Sequence, residues 1–248
     1  MPISIHVHSR AARPAAGTDA AVRACFDELH EIDRLFSPFR TDSDVSRVQR
    51  GELSIDDADP RVATVAEACR SAEEATGGLF SARWRGVFDP TGYVKGWAVE
   101  NSARRHLAPL VENDIAAGIN AGGDMQLFSA PDSDWRWNVG ITDPRTPGAL
   151  LATLDVRDGA VATSGTGERG AHIIDPRSGE AATGVLSATV VADSLASADV
   201  WATAAVVAGF DDRRWIADSL TRTGLVLAAD GRVSRWIDGV TVEATGTS

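Results

Sequence analysis

"GTGERGAHIIDPRSG", residues 165–179, is the stretch on which the fold turns. Gly165, Gly167 and Gly170 stand in G-x-G-x-x-G spacing, which in a dinucleotide-binding unit closes a strand and opens a helix whose N-terminus faces a pyrophosphate. That context fails here, because the residues that follow, AHIIDP, read as another strand ended by a proline. The glycines therefore predict a tight hairpin, with His172 on a polar, Gly-rich segment at the rim of a sheet, and argue against a doubly wound α/β fold.

Outward from this point the pattern supports the same conclusion. Before it come short strand-like runs, AGINAGG, WRWNVGITDP and ALLATLDVRDGAVATSG, separated by Gly, Pro and Asp turns; after it come LSATVVA, GLVLAA and VSRWI. Towards the N-terminus, ISIHV alternates as a strand. Residues 18 to 35 follow a helical period, with Ala21, Cys25 and Leu29 on one face. A helix is expected over 60 to 76, where Pro60 suits a first turn and Gly77–Gly78 a stop, and another after Gly96 through WAVENSARRHL. SLASADVWATAAVVAG predicts a further, almost wholly apolar helix, and a short one is expected near 212 to 222. Helices gathered early and strands gathered later predict an α+β domain, with helices packed on a largely antiparallel sheet and a single domain over residues 1–248.

Composition narrows the partners. The chain carries 35 acidic against 24 basic residues, a formal charge of −11, and its arginines are scattered, so a phosphate-rich polymer such as nucleic acid is not an expected partner. Lys95 is the only lysine. Either chance left it, or a compact ammonium is needed there. Cys25 and Cys69 sit among apolar residues and read as small hydrophobes. No run is long enough to span a bilayer, and MPISIHVHSR lacks the order of a signal peptide, so a soluble, cytoplasmic protein is expected.

Candidate chemistry is concentrated in a few places. His6 and His8 share a strand face but have no third ligand nearby, and His30 and His106 are expected to be solvated on helices. His172 has the right intrinsic range for a general base, with a structural histidine as the alternative. Asp199 and Thr203, four apart on an apolar helix, offer two hard oxygens to a cation such as Mg²⁺; alternatively Asp199 caps a helix that begins after Ser197. Asp89, Gly92 and Lys95 lie in FDPTGYVKGWAV, read as a loop turning into a helix, where small residues allow a ligand close to the backbone. NAGGD, residues 120–124, is a strand ending in two glycines and an acid.

In order, these pieces resemble the ApbE family of FAD:protein FMN transferases. FSPFRTDSDVSRV is similar to F-S-x-Y-x-x-x-S-x-[IL]-S-x-[IL], TGGLF to T-G-G-x-F, and FDPTGYVKGWAV to D-x-x-x-x-x-K-G-x-A. NAGGD is similar to N-x-G-G-D, ATSG and HIIDPRSG to T-S-G and H-I-[IL]-[DN]-P-x-[ST]-G, and ADVWATA to A-D-x-x-x-T-A. The resemblance implies a T-fold-like arrangement of helices on antiparallel sheet. It further implies Mg²⁺-dependent transfer of the FMN moiety of FAD to a Thr or Ser hydroxyl of a target flavoprotein, through a phosphodiester bond and with release of AMP. On the family's pattern His172 would be the base, Asp199, Thr203 and the Gly92 carbonyl would hold Mg²⁺, and Phe39, Leu79, Phe80, Ser81, Asp89, Lys95 and Ile173 would contact FAD. Phe39 stands where the family has tyrosine, which removes a hydroxyl, and MPISI starts where the family's M-G-T motif would end. No lipobox is present, in keeping with the cytoplasmic expectation. Two alternatives remain open: an FAD pyrophosphatase using the same site, and a non-catalytic FAD-binding protein.

Overall fold

The structure is a computed structural model that describes residues 1–9, 17–112, 115–166 and 172–243. Strand β1 (Ile3–Ser9) is followed by helices α1 (Thr18–Phe36), α2 (Asp44–Gln49), α3 (Pro60–Ala75) and α4 (Thr91–His106). Then come β2 (Ile115–Ala121), β3 (Asp124–Ser129), β4 (Trp137–Thr142), β5 (Leu150–Val156), β6 (Gly159–Gly165) and β7 (Val185–Ala192). Helices α5 (Leu195–Ala208) and α6 (Trp215–Asp218) precede β8 (Thr223–Ala228), β9 (Val233–Ile237) and β10 (Val240–Glu243). An eight-stranded sheet runs β1, β2, β3, β6, β7, β8, β9, β10, with every pairing antiparallel; β4 and β5 form a separate hairpin.

Both faces of the sheet's centre are covered, and the side-chain alternation shows how. In β6, Ala160 and Ala162 point to the helical layer while Val161 joins Leu127, Val139, Val156 and Val191 under the β4–β5 hairpin. In β7, Ala188, Val190 and Ala192 face the helices and Val191 the hairpin, which is why LSATVVA reads as a continuous apolar run rather than an alternating one. Helix α5 lies across β6 and β7 and is buried nearly all round, which explains its lack of a polar face. Helix α4 packs beside it, and α1, α2 and α3 close a second apolar cluster around Phe36, Val45, Val62, Phe80 and Phe88. Trp201 stacks on Trp215, whose edge meets Trp236, joining α5 and α6 to the sheet.

Several boundaries differ from the sequence reading. Helix α4 begins at Thr91, not after Gly96; the Asp89 carboxylate accepts from the Thr91 amide and hydroxyl and secures a start that Gly92 and Gly96 disguise. Helix α2 lies inside FSPFRTDSDVSRV, where a proline and short polar residues give no helical signal, with the Ser43 hydroxyl accepting from the Ser46 amide. A tenth strand, β10, extends the sheet edge. Helix α5 starts at Leu195 with Ser194 as its cap, so Asp199 lies inside the helix and is not its N-cap.

The opening motif resolves on these terms. Among the described residues no helix follows β6 until α5, and β6 pairs directly with β7. HIIDP forms one bridge, Ile174 with Ala181, rather than a full strand, because the Asp175 carboxylate takes the Arg177 amide and turns the chain at once. Gly167 and Gly170 lie outside the described residues. Gly165 has a packing reason: a Cβ there would stand 2.4 Å from the Leu186 carbonyl oxygen.

Five of the scattered arginines share a repeated turn. Arg61, Arg145, Arg177, Arg214 and Arg232 each fold back on the aspartate two residues earlier.

Gly165→Ala is expected to destabilise the protein by about 2 kcal/mol, because backbone rather than a flexible side chain must move. Urea unfolding measures this; unchanged stability would show that the β6–β7 spacing does not depend on the glycine.

Candidate active site

The site begins where α4 and α5 cross. Gly96 permits the approach: a Cβ would lie 3.0 Å from the Leu195 carbonyl oxygen and 3.2 Å from the Asp199 Cβ. That gap sets the Gly96 backbone directly against Asp199, an approach that favours the ionised carboxylate. One turn earlier α4 presents Gly92, and Lys95 directly precedes Gly96; one turn later, α5 presents Thr203 beside Asp199.

Three charged groups meet in this seam. The Lys95 ammonium contacts Asp124 directly and lies 3.4 Å from Asp199 Oδ1. Asp124 and Asp199 are both almost fully buried, at 2% and 3% exposure, so each requires compensation. Burial raises the Asp199 carboxyl to about 6, with nearby Asp124 adding to the rise and Lys95 opposing it. Burial alone would lower the Lys95 ammonium, but the two carboxylates outweigh it and the net shift is upward.

Around this seam lies a cavity of about 300 Å³, lined by the Leu79–Ser81 turn, Trp84, Asp89, Thr91, Gly92, Lys95, Ser164, the His172–Ile174 segment with Pro176, Asp199 and Thr203. Every site residue expected from sequence is among them except Phe39. That side chain is 95% exposed on the turn after α1 and does not line the cavity, because Phe36, three residues earlier, supplies the buried aromatic of that turn. Phe36 and Pro38 instead border a neighbouring apolar cavity of about 230 Å³ between β1, α1 and α4, which shares Thr91 and Lys95 with the first. His172 is exposed at the mouth, while Ile173 turns inward and is buried.

The donors suit a hard divalent cation. Asp199 Oδ2 is buried with no hydrogen-bond partner, an arrangement that is costly unless a cation meets it. Beside it the Thr203 hydroxyl shares a 3.0 Å hydrogen bond with Ser164. Among the described residues no cluster of three or more His, Cys, Asp or Glu could hold a metal, so a cation here depends on hydroxyl, backbone and ligand oxygens as well as Asp199. His6 and His8 do not form such a cluster: His6 bonds Ser4 and His8 stacks on Trp135. His106, expected in solvent, is instead half-buried against Glu28 at 2.8 Å. Both cysteines are buried, and burial pushes their thiols up to about 12.

Six cavity or seam residues were not assigned from sequence: Thr91, Ile174 and Pro176, which flank assigned positions, and Asp124, Ser164 and Trp84. Asp124 was visible only as the acid ending NAGGD, and Ser164 only as part of TSG; neither spacing says that they face α4 and α5. Trp84, capped by the Arg85 guanidinium 4.2 Å from its ring centre, sits in a loop without periodicity.

Comparison with known proteins completes this picture. The family model described as "ApbE family" matches residues 1–89 and 86–226. The chain belongs to the ApbE family. It is 36% identical over 161 residues to an FAD:protein FMN transferase of Rhodobacter capsulatus, covering 58% of this chain and 29% of that protein. With the FAD:protein FMN transferase of Escherichia coli strain K12 it shares 30% identity over 122 residues, 44% of this chain and 35% of that one. These matches thus span about a third of the relatives' length. Among solved ApbE structures, the Thermotoga maritima protein superposes with a TM-score of 0.77 at 22% identity, covering 94% of this chain and 93% of its own. The flavin transferase ApbE of Vibrio cholerae superposes at 0.70 and 20% identity, with the same coverage. The α+β architecture is therefore that of the ApbE structures. No helix among the described residues is long and apolar enough to cross a membrane.

The raised Asp199 carboxyl gives a pH test. Its folded value lies above the unfolded one, so ionisation opposes folding above about pH 6, and the penalty fades as pH falls towards 4. With divalent ions chelated, Asp199→Asn is expected to stabilise the protein at pH 8 by roughly 1–3 kcal/mol and to change it little at pH 4. Calorimetry across that range checks both size and sign.

Proposed function

We propose that this protein is an Mg²⁺-dependent flavin transferase that moves the FMN moiety of FAD to a Thr or Ser hydroxyl of a target flavoprotein and releases AMP. The observation that carries this reading is the convergence of a histidine, a lysine and an unpaired buried carboxylate oxygen beside a threonine hydroxyl on one cavity, in a chain of the ApbE family. Relatives over part of its length are named FAD:protein FMN transferases, which supports the same reaction.

In this reading each side chain has a task set by its surroundings. Lys95, at the junction of the two cavities, meets the pyrophosphate with a point charge. The apolar cavity between β1, α1 and α4 suits a planar ring, and Leu79, Phe80, Ser81, Asp89 and Ile173 line the space for the rest of the dinucleotide. Phe39, exposed on the neighbouring turn, would reach FAD only by covering it from outside. Asp199, Thr203 and the Gly92 carbonyl would hold Mg²⁺, which when bound neutralises charge on the pyrophosphate oxygens. His172, at the mouth, takes the proton of the incoming hydroxyl. The freed oxygen attacks the phosphorus on the FMN side, the bond from that phosphorus to the bridging oxygen breaks, and AMP leaves with that oxygen. With water in place of the acceptor, the same groups would act as an FAD pyrophosphatase.

The test is intact-mass spectrometry of a peptide carrying D-S-G-A-T, incubated with the protein, FAD and Mg²⁺, with an EDTA control and AMP detection. The expected result is a metal-dependent gain of one FMN on the peptide with matching AMP. His172→Ala should slow it by about a hundredfold or more. AMP without peptide modification would replace the transferase with the pyrophosphatase, and flavin binding without either product would leave a binding protein.

A further inference from the structure

We propose that Asp124 is a positioning residue: it anchors Lys95 at the junction of the two cavities and thereby keeps Asp199 Oδ2 open. This rests on the flavin-transfer reading for what Lys95 meets, but the anchoring itself rests on geometry. Asp124 is the first residue of β3, immediately after the Gly122–Gly123 turn, and is 2% exposed. Its Oδ1 accepts the Thr163 amide from β6 at 3.0 Å, which fixes the carboxylate's orientation and aims Oδ2 at the lysine. The neighbouring residue on β6, Ser164, holds the Thr203 hydroxyl, so one strand sets both the lysine's anchor and the candidate cation ligand.

The competition around Lys95 shows why the anchor matters. Its ammonium touches Asp124 and stands farther from Asp199, at 3.4 Å. A lysine stem is flexible and its charge compact, so without Asp124 the ammonium would move onto the other buried carboxylate. Asp199 would then lose the unpaired oxygen, and Lys95 would leave the junction that both cavities share.

Because Lys95 is the only lysine, protein grown with ¹³Cε-lysine gives one side-chain signal, whose relaxation reports how firmly that side chain is held. In the wild type we expect the order parameter of a fixed side chain, and in Asp124→Asn, which keeps an acceptor for the Thr163 amide, a fall by about half. The same variant should raise KM for FAD about tenfold, near 1.4 kcal/mol, and raise the Mg²⁺ concentration needed for half-maximal rate, with kcat at saturating FAD and Mg²⁺ within about threefold. Unmoved relaxation and KM overturn the proposal, as does faster motion with an unmoved KM. If Asp124→Asn fails to fold, the wild-type signal decides: relaxation like that of a free lysine overturns the anchor. A wild type that does not turn over FAD overturns the transferase reading alone, since relaxation still reads the anchor.

Discussion

An ionisable group set in the most apolar helix of the chain governs the surrounding architecture. Asp199 cannot be buried in α5 without compensation, and Lys95 from α4 supplies only part of it: Asp124 from the start of β3 draws on the same ammonium, so the seam keeps a net negative charge that suits a further cation. At this point α4 approaches α5 more closely than a side chain at residue 96 would allow without a shift, which brings Lys95 within reach of Asp199. The helix crossing, the choice of glycine and the placement of the single lysine are therefore consequences of one buried carboxylate.

Much of the fold was legible because its cores alternate cleanly. The two-residue period of β6 and the continuous apolar run of β7 follow from one strand pair being covered on both faces. What escaped was local chemistry that works against propensity. Gly92 and Gly96 are poor helix formers, yet the Asp89 cap and packing on α5 make α4 start before both; short polar residues around Ser43 look like a break, yet one hydroxyl cap suffices for a short helix.

The candidate site was legible to the extent that its residues lie close in sequence or carry a family motif. Asp199 and Thr203 declare a common helix face by spacing. Asp124 and Ser164 do not, since their meeting with α4 and α5 depends on the order of β2, β3 and β6 in the sheet, a long-range fact with no local trace. Phe39 shows the converse: a match to a motif position does not fix where the side chain points, and here the buried aromatic of that turn is Phe36.

The Asp-x-Arg turns bear on how a ligand arrives. Each guanidinium is closed onto its own aspartate, so these arginines behave at a distance as small dipoles rather than as positive charges. The far field is left to the excess of acids, and a charge of −11 repels anions within the roughly 8 Å over which physiological salt leaves it unscreened. A phosphate-bearing ligand is therefore not steered to the cavity by long-range attraction. Its association rate should be modest and should rise with ionic strength, the opposite of a nucleotide-binding protein with a basic rim.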